Sequence, residues 1–347
     1  MLGILSDGVL SRCISPRQCA FLGVCISAMG YGFSSVVPSS CPFLIYGTYG
    51  LCVGFGIGLV YNIWLHTVMQ WFPNHSGIAS GLLLLGMGLS GVTTTPLAAL
   101  LASTMGWRCS FRAICGILAV VGIAVLQFIR PAPEVDNIKS DKIGKKVEIA
   151  SGQMIRCKAF GLFAVWKLIV IGLGQACSGQ LAQIFKDFGK EESLQLFMVS
   201  LYIGINGTAR LVWGFSCDRI GCTSTMLLVS VLVCLGCGLV TLGFPQGQMG
   251  MLVPGFFLIA LCYGGAATLG ANYIASVFGR KNYRRNNGIS AATALPANLG
   301  ATAAISVVRD ISGRYLEFFW FAFSATLASI LFAWLCRVQV NRGKVLK

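Results

Sequence analysis

Apolar runs of membrane-crossing length recur along the chain, separated by short polar or glycine-containing breaks. They predict helices over 19–37, 43–70, 77–103, 107–129, 159–185, 193–215, 222–243, 249–277, 286–308 and 316–338. Residues 1–18 are too short and polar for a further span. No basic stretch leads into an apolar core and cleavage site there, so no signal peptide is read. One segment, 130–158 (RPAPEVDNIKSDKIGKKVEIASGQMIRCK), is polar, charged and opened by prolines. It predicts a cytoplasmic linker between an N-terminal bundle of four spans over 1–129 and a C-terminal six-helix bundle over 159–347.

Composition makes the class firm. The 347 residues are 56% hydrophobic and only 11% charged, with a mean hydropathy of +0.77. Soluble domains carry about 25% charged residues. The chain is therefore read as an all-α polytopic membrane protein set in a lipid bilayer. Its net charge of +15 would suit nucleic acid, but the basic residues follow membrane sidedness. Arg12, Arg17, Arg130, Lys139, Arg219, Arg280, Arg284 and Arg342 fall on one side, while Arg108, Arg112, Lys186, Lys190, Arg309 and Arg314 fall on the other. The richer side is cytoplasmic by the positive-inside rule. Both termini are then cytoplasmic, the expected location is the plasma (inner) membrane, and no nucleic-acid partner is expected.

The 15 cysteines lie mostly in apolar stretches, where a free thiol behaves as a small hydrophobe. Gly50, Gly54 and Gly58 form a row at helical spacing that predicts close backbone approach. No nucleophile–base set, metal cluster or phosphate loop is recognisable. An enzyme, a cofactor and a metal are accordingly not expected.

Arg210 changes the picture. It lies within SLQLFMVSLYIGINGTARLVWGF, which contains no acid, and the nearest one, Asp218, is about 12 Å along a helix. A guanidinium at that depth is expensive unless it serves a partner, and its planar fork suits a carboxylate. Of the other polar residues in spans, Lys167 is read as snorkelling to the interface or, alternatively, as a second anion-attracting charge, and His66 as a packing residue. Asn62 and Asn206 are amides that bridge helices, with a ligand role as the alternative for each.

Motifs then point to a family. Gly214-Phe-Ser-Cys-Asp218-Arg219-Ile-Gly221, at the cytoplasmic end of a span, resembles the G-x-x-x-D-R-x-G loop of major facilitator transporters. Gly3-Ile-Leu-Ser-Asp7-Gly-Val-Leu-Ser-Arg12 resembles a degraded second copy. Tyr61-Asn62, Trp71-Phe72-Pro73, Gly77-Ile-Ala-Ser-Gly81, Cys262-Tyr263-Gly264-Gly265, Asn206-Gly-Thr-Ala-Arg210 and Asp310-Ile-Ser-Gly313-Arg-Tyr315 narrow the resemblance to oxalate:formate antiporter and monocarboxylate-transporter-like proteins.

The resemblance implies alternating access by two bundles, with Arg210 on the substrate carboxylate, Tyr61 and Tyr263 flanking the anion, and Asn206 beside it. Asp218, Arg219, Gly214, Gly221, Asp7 and Arg12 would form the cytoplasmic gating motifs, each Asp capping a helix and pairing with Arg. A lysine used by oxalate transporters has no counterpart between Gly288 and Val308, which favours an anion with one carboxylate.

The expected substrate is a small organic anion of the formate, oxalate, lactate or pyruvate type, carried by antiport. The alternatives are proton-coupled monocarboxylate symport and a non-functional fragment. The resembling fold has twelve helices. The present sequence opens at the loop following the second, so the reading is a fold without its first two helices. A monomer is expected unless those helices are supplied in trans.

Overall fold

The computed structural model describes residues 1–11, 13–130 and 148–342, without the side chains of 91–93, 95 and 96. The helices are α1 (Leu2–Leu10), α2 (Pro16–Ser34), α3 (Gly54–Trp71, entered through a π-helical stretch Tyr46–Val53), α4 (Ser76–Val125), α5 (Ser151–Arg156), α6 (Lys158–Asp187), α7 (Glu192–Ile220), α8 (Cys222–Gly243), α9 (Met249–Val277), α10 (Tyr283–Ala292), α11 (Leu295–Ser312) and α12 (Leu316–Asn341). No strand occurs among the described residues. The all-α expectation is met.

Local chemistry sets the helix ends. Ser15 and Gln18 form a reciprocal capping box ahead of Pro16, whose missing N–H is harmless in the first turn. Gly106 interrupts α4 with φ 78° and ψ 159°, which separates the helices expected over 77–103 and 107–129. The span expected over 286–308 is divided into α10 and α11. Pro296 lies in the first turn of α11, where its lack of an N–H and the bulk of its ring oppose continuation from α10.

All ten predicted segments are helical, but they do not all have the same membrane character. Eight helices among the described residues are long and apolar enough to cross a bilayer. The exceptions are α2, whose Arg17, Gln18 and small residues lower its hydropathy, and the first part of α4, a shorter apolar stretch over Ser76–Ser90. Hydrophobic length and low charge make the protein an integral membrane protein.

Two compact units result. The first comprises Met1–Pro73, Leu89–Glu148 and Arg280–Ala292. Its core includes Cys19, Ala20, Leu59, Ile63, Leu126 and Ile129, with α1 packed on α3 and α10. The second comprises Asn74–Gly88, Ile149–Gly279 and Thr293–Lys347. Stacked Phe163 and Tyr273, with ring centroids 4.3 Å apart, join α6 to α9 in its core. A single division at the linker does not describe these units, because Asn74–Gly88 and Arg280–Ala292 each associate with helices from the other side of it. Of the segment 130–158, residues 131–147 lie outside the described residues.

The glycine row is corrected. A Cβ at Gly58 would press on Gly3 and Ile4, but Gly50 and Gly54 meet nothing within 4 Å. The close contact between α2 and α3 is made by Gly23 and Gly56 instead. In addition, Cys217 and Cys222 form a disulfide across the α7–α8 turn, with Cα atoms 4.6 Å apart. Spacing alone did not single out this pair among so many apolar cysteines.

Candidate functional site

The second unit gathers polar groups from α6, α7 and α9. Asn206 and Arg210 stand one turn apart on α7, so both side chains leave the same helix face. Two glycines allow the neighbouring helices to approach that face. A Cβ at Gly264 of α9 would collide with the Asn206 carbonyl, and one at Gly81 of α4 with the Arg210 carbonyl. The ring of Tyr263 packs against Gly174 of α6, and its hydroxyl donates to Gln175 Oε1 at 2.7 Å.

Arg210 is part-buried. Its Nη1 donates to the Leu84 carbonyl at 3.0 Å and its Nη2 to Asn206 Oδ1 at 3.3 Å. The guanidinium is thus anchored, which corrects the expectation of a cation without an internal partner. Its charge is nevertheless not neutralised, since the ion pairs among the described residues do not include it. Two buried donors also stay unpaired, Arg210 Nε and Asn206 Nδ2. Buried polar atoms are ordinarily satisfied. Adjacent unmatched donors beside a net positive charge form a surface suited to an acceptor-rich anion.

Tyr61 is half-buried on α3 and belongs to the first unit. Arg210, Asn206 and Tyr263 all belong to the second unit. Gln175 was not anticipated, because a glutamine in an apolar helix carries no motif. Lys167 departs from the snorkelling reading: it is 7% exposed, lies 5.9 Å from the Phe163 ring centroid and approaches Gly270.

The motif residues are placed as follows. The Asp218 carboxylate accepts from the backbone N–H groups of Gly77 at 2.7 Å and Ile78 at 2.8 Å. It therefore caps the start of α4, where donors are unsatisfied and the helix dipole favours an anion. Gly214 lies against Gly77 with no room for a side chain, and Gly221 turns the chain at φ 84°. Arg219 does not pair with Asp218; its guanidinium sits 5.1 Å over Phe215, where exposure lets it keep its water.

Asp7 is fully buried within α1 rather than in an exposed loop. Its carboxylate pairs with Arg284 of α10, whose Nε donates to Oδ2 at 3.0 Å. Asn62 Nδ2 donates to Asp7 Oδ2 and to the Arg284 carbonyl, each at 2.8 Å. Asn287 Nδ2 donates to Asn62 Oδ1 at 2.8 Å, and the Cys19 thiol approaches Asp7 Oδ1 at 3.3 Å. Arg12, the other member of this motif, lies outside the described residues. His66 stacks on Tyr283 at 5.8 Å.

Glu148 was missed by sequence reasoning. Its carboxylate accepts from the backbone N–H groups of Arg280 at 3.4 Å and Lys281 at 3.0 Å, just ahead of α10. The Arg280 side chain in turn donates to the carbonyls of Met69 at 3.1 Å and Pro73 at 2.9 Å.

Comparison with known proteins agrees with this architecture. The model of the Major Facilitator Superfamily matches residues 1–185 and 168–346. The oxalate:formate antiporter of Oxalobacter formigenes is 28% identical over 304 residues, covering 84% of this chain and 69% of that protein. Apicoplast pyruvate carrier 1 of Toxoplasma gondii is 29% identical over 98 residues, covering 28% of this chain and 18% of that protein. Among solved structures, the proton:xylose symporter XylE aligns with a TM-score of 0.74 over 96% of this chain and 82% of that chain. At 13% identity, that likeness shows the fold.

Proposed function

The chain belongs to the Major Facilitator Superfamily and is a transporter, and we propose that it exchanges small carboxylates of the formate, oxalate, lactate or pyruvate type. The observation that carries this reading is the pair of unmatched buried donors, Arg210 Nε and Asn206 Nδ2, beside an unneutralised guanidinium. A carboxylate supplies two oxygens with several lone pairs and one negative charge, the complement of that surface. Tyr263, fixed by Gln175, offers an apolar ring edge next to it, and Tyr61 is assigned the same task on α3. The relatives named for oxalate, formate and pyruvate support the class of substrate.

Antiport follows from charge. A site whose cation is neutralised only by its ligand changes state most readily when loaded, so one anion leaves as another enters. Among the described residues the fully buried carboxylate is Asp7, and its pairing with Arg284 and Asn62 argues against a proton relay there. The Asp218 cap on α4 and the Asp7 cluster act as cytoplasmic latches in this reading, with the basic side of the protein, both termini included, facing the cytoplasm of the inner membrane.

Counterflow in proteoliposomes tests the proposal. Labelled oxalate or formate should accumulate only when unlabelled formate, lactate, pyruvate or oxalate is trapped inside. Arg210→Ala should raise the KM about 10- to 100-fold, the loss of one or two charge-assisted hydrogen bonds. Unchanged exchange by Arg210→Ala would overturn the anion site. Uptake that needs an imposed proton gradient and no internal anion would replace antiport by symport.

A further inference from the structure

The spans Tyr46–Trp71 and Leu97–Phe128 end together in the first unit, where Trp71 Nε1 donates to the Arg130 carbonyl at 3.2 Å. Between them lies a groove of about 420 Å³ lined by Trp64, Val68, Trp71, Phe72, Phe128 and Arg130. Its wall is aromatic and outward-facing: Phe128 is 74% exposed, Phe72 55% and Trp71 44%. The inner side of Trp64 packs on the cluster formed by Cys19, Leu59, Ile63 and Leu126, so the groove has a firm floor.

Position gives the groove two ends of different polarity. Toward the middle of the spans it is bounded by Trp64 and Val68. At the span ends it is bounded by Arg130. Arg130 has no acidic partner in the ion pairs among the described residues. Tryptophan rings prefer the headgroup level, and cations between helix ends recognise lipid phosphates. An apolar trough capped by the Arg130 guanidinium at that level complements one acyl chain below a negatively charged headgroup.

We propose that this groove is a binding site for an anionic phospholipid, its phosphate on Arg130 and an acyl chain against Trp64, Val68 and Phe128. The site is separate from the anion-transport reading and does not depend on it.

Photoactivatable phosphatidylglycerol and phosphatidylcholine with the same acyl chains provide the test, with the full chain in nanodiscs and adducts mapped by peptide mass spectrometry. The glycerol lipid should label peptides containing 64–72 and 126–130 roughly fivefold more than the choline lipid, as about 1 kcal/mol for one cation implies. Arg130→Gln should reduce this to the choline level while labelling elsewhere is unchanged. In the wild-type protein, raised salt should narrow the difference between the two lipids, a readout that stands even if Arg130→Gln does not accumulate. Equal labelling by both lipids, or a difference insensitive to salt, would overturn the proposal. So would absence of adducts together with cross-links from the chain's own 131–147 segment, which would assign the groove to that segment.

Discussion

Arg210 and Asp7 show how differently two buried charges behave. Arg210 is anchored through a carbonyl and an amide, neither of which removes its charge. A lysine there would keep the charge but lose the planar fork. Arg210→Lys should therefore recover less than a tenth of wild-type kcat/KM in the exchange assay, whereas Asn206→Ala, which removes one donor, should cost about tenfold in KM. Asp7 is instead fully matched by Arg284, Asn62 and the Cys19 thiol. Asp7→Ala would leave Arg284 buried without its counter-charge and should destabilise the protein by about 3–5 kcal/mol. Thermal unfolding in detergent should show the loss, and Asp7→Ala with Arg284→Met should recover most of it. Arg210 was legible in the sequence because a guanidinium in an apolar run is conspicuous. The Arg284 partnership was not, since it joins residues far apart in the chain.

Helices in this protein approach through glycine, and the positions that matter are those where two backbones meet. Gly77, Gly81 and Gly88 of α4 face Gly214, Arg210 and Gly207 of α7. This seam brings the Gly77 and Ile78 amides to Asp218 and the Leu84 carbonyl to Arg210. Gly77→Val should open the seam and release the cap, at about 0.5–2 kcal/mol for the lost cap alone. The amides of Gly77 and Ile78, followed by hydrogen exchange, should lose protection in Asp218→Ala without global unfolding. Gly54→Ala should be neutral or slightly stabilising, because nothing lies within 4 Å of that position and alanine is the better helix former. The sequence displayed all of these glycines in similar small-residue spacings. Spacing cannot distinguish a glycine that faces a helix from one that faces lipid, which is why the Gly50–Gly54–Gly58 row misled.

At the level of the whole molecule, acid residues hold helix starts in both units. Asp218 caps α4 in the second unit, and Glu148 receives the Arg280 and Lys281 amides before α10 in the first. The motif copy at Asp7 does not perform that backbone capping, because it is occupied by the Arg284 side chain. Glu148→Ala should accordingly speed exchange at Arg280 and Lys281 while the protection of α8 and α12 is unchanged. Hydropathy alone determined that this is a helical membrane protein and roughly where its apolar segments run, since burial in lipid imposes long apolar segments whatever their partners. Only the tertiary structure decided that the span expected over 286–308 is divided into α10 and α11, that Asn74–Gly88 and Arg280–Ala292 associate across the linker, and that Arg210 and Asn206 share unmatched donors. Those features depend on which faces meet, and the same apolar residues serve equally well against lipid or against protein, so the one-dimensional pattern cannot express the choice.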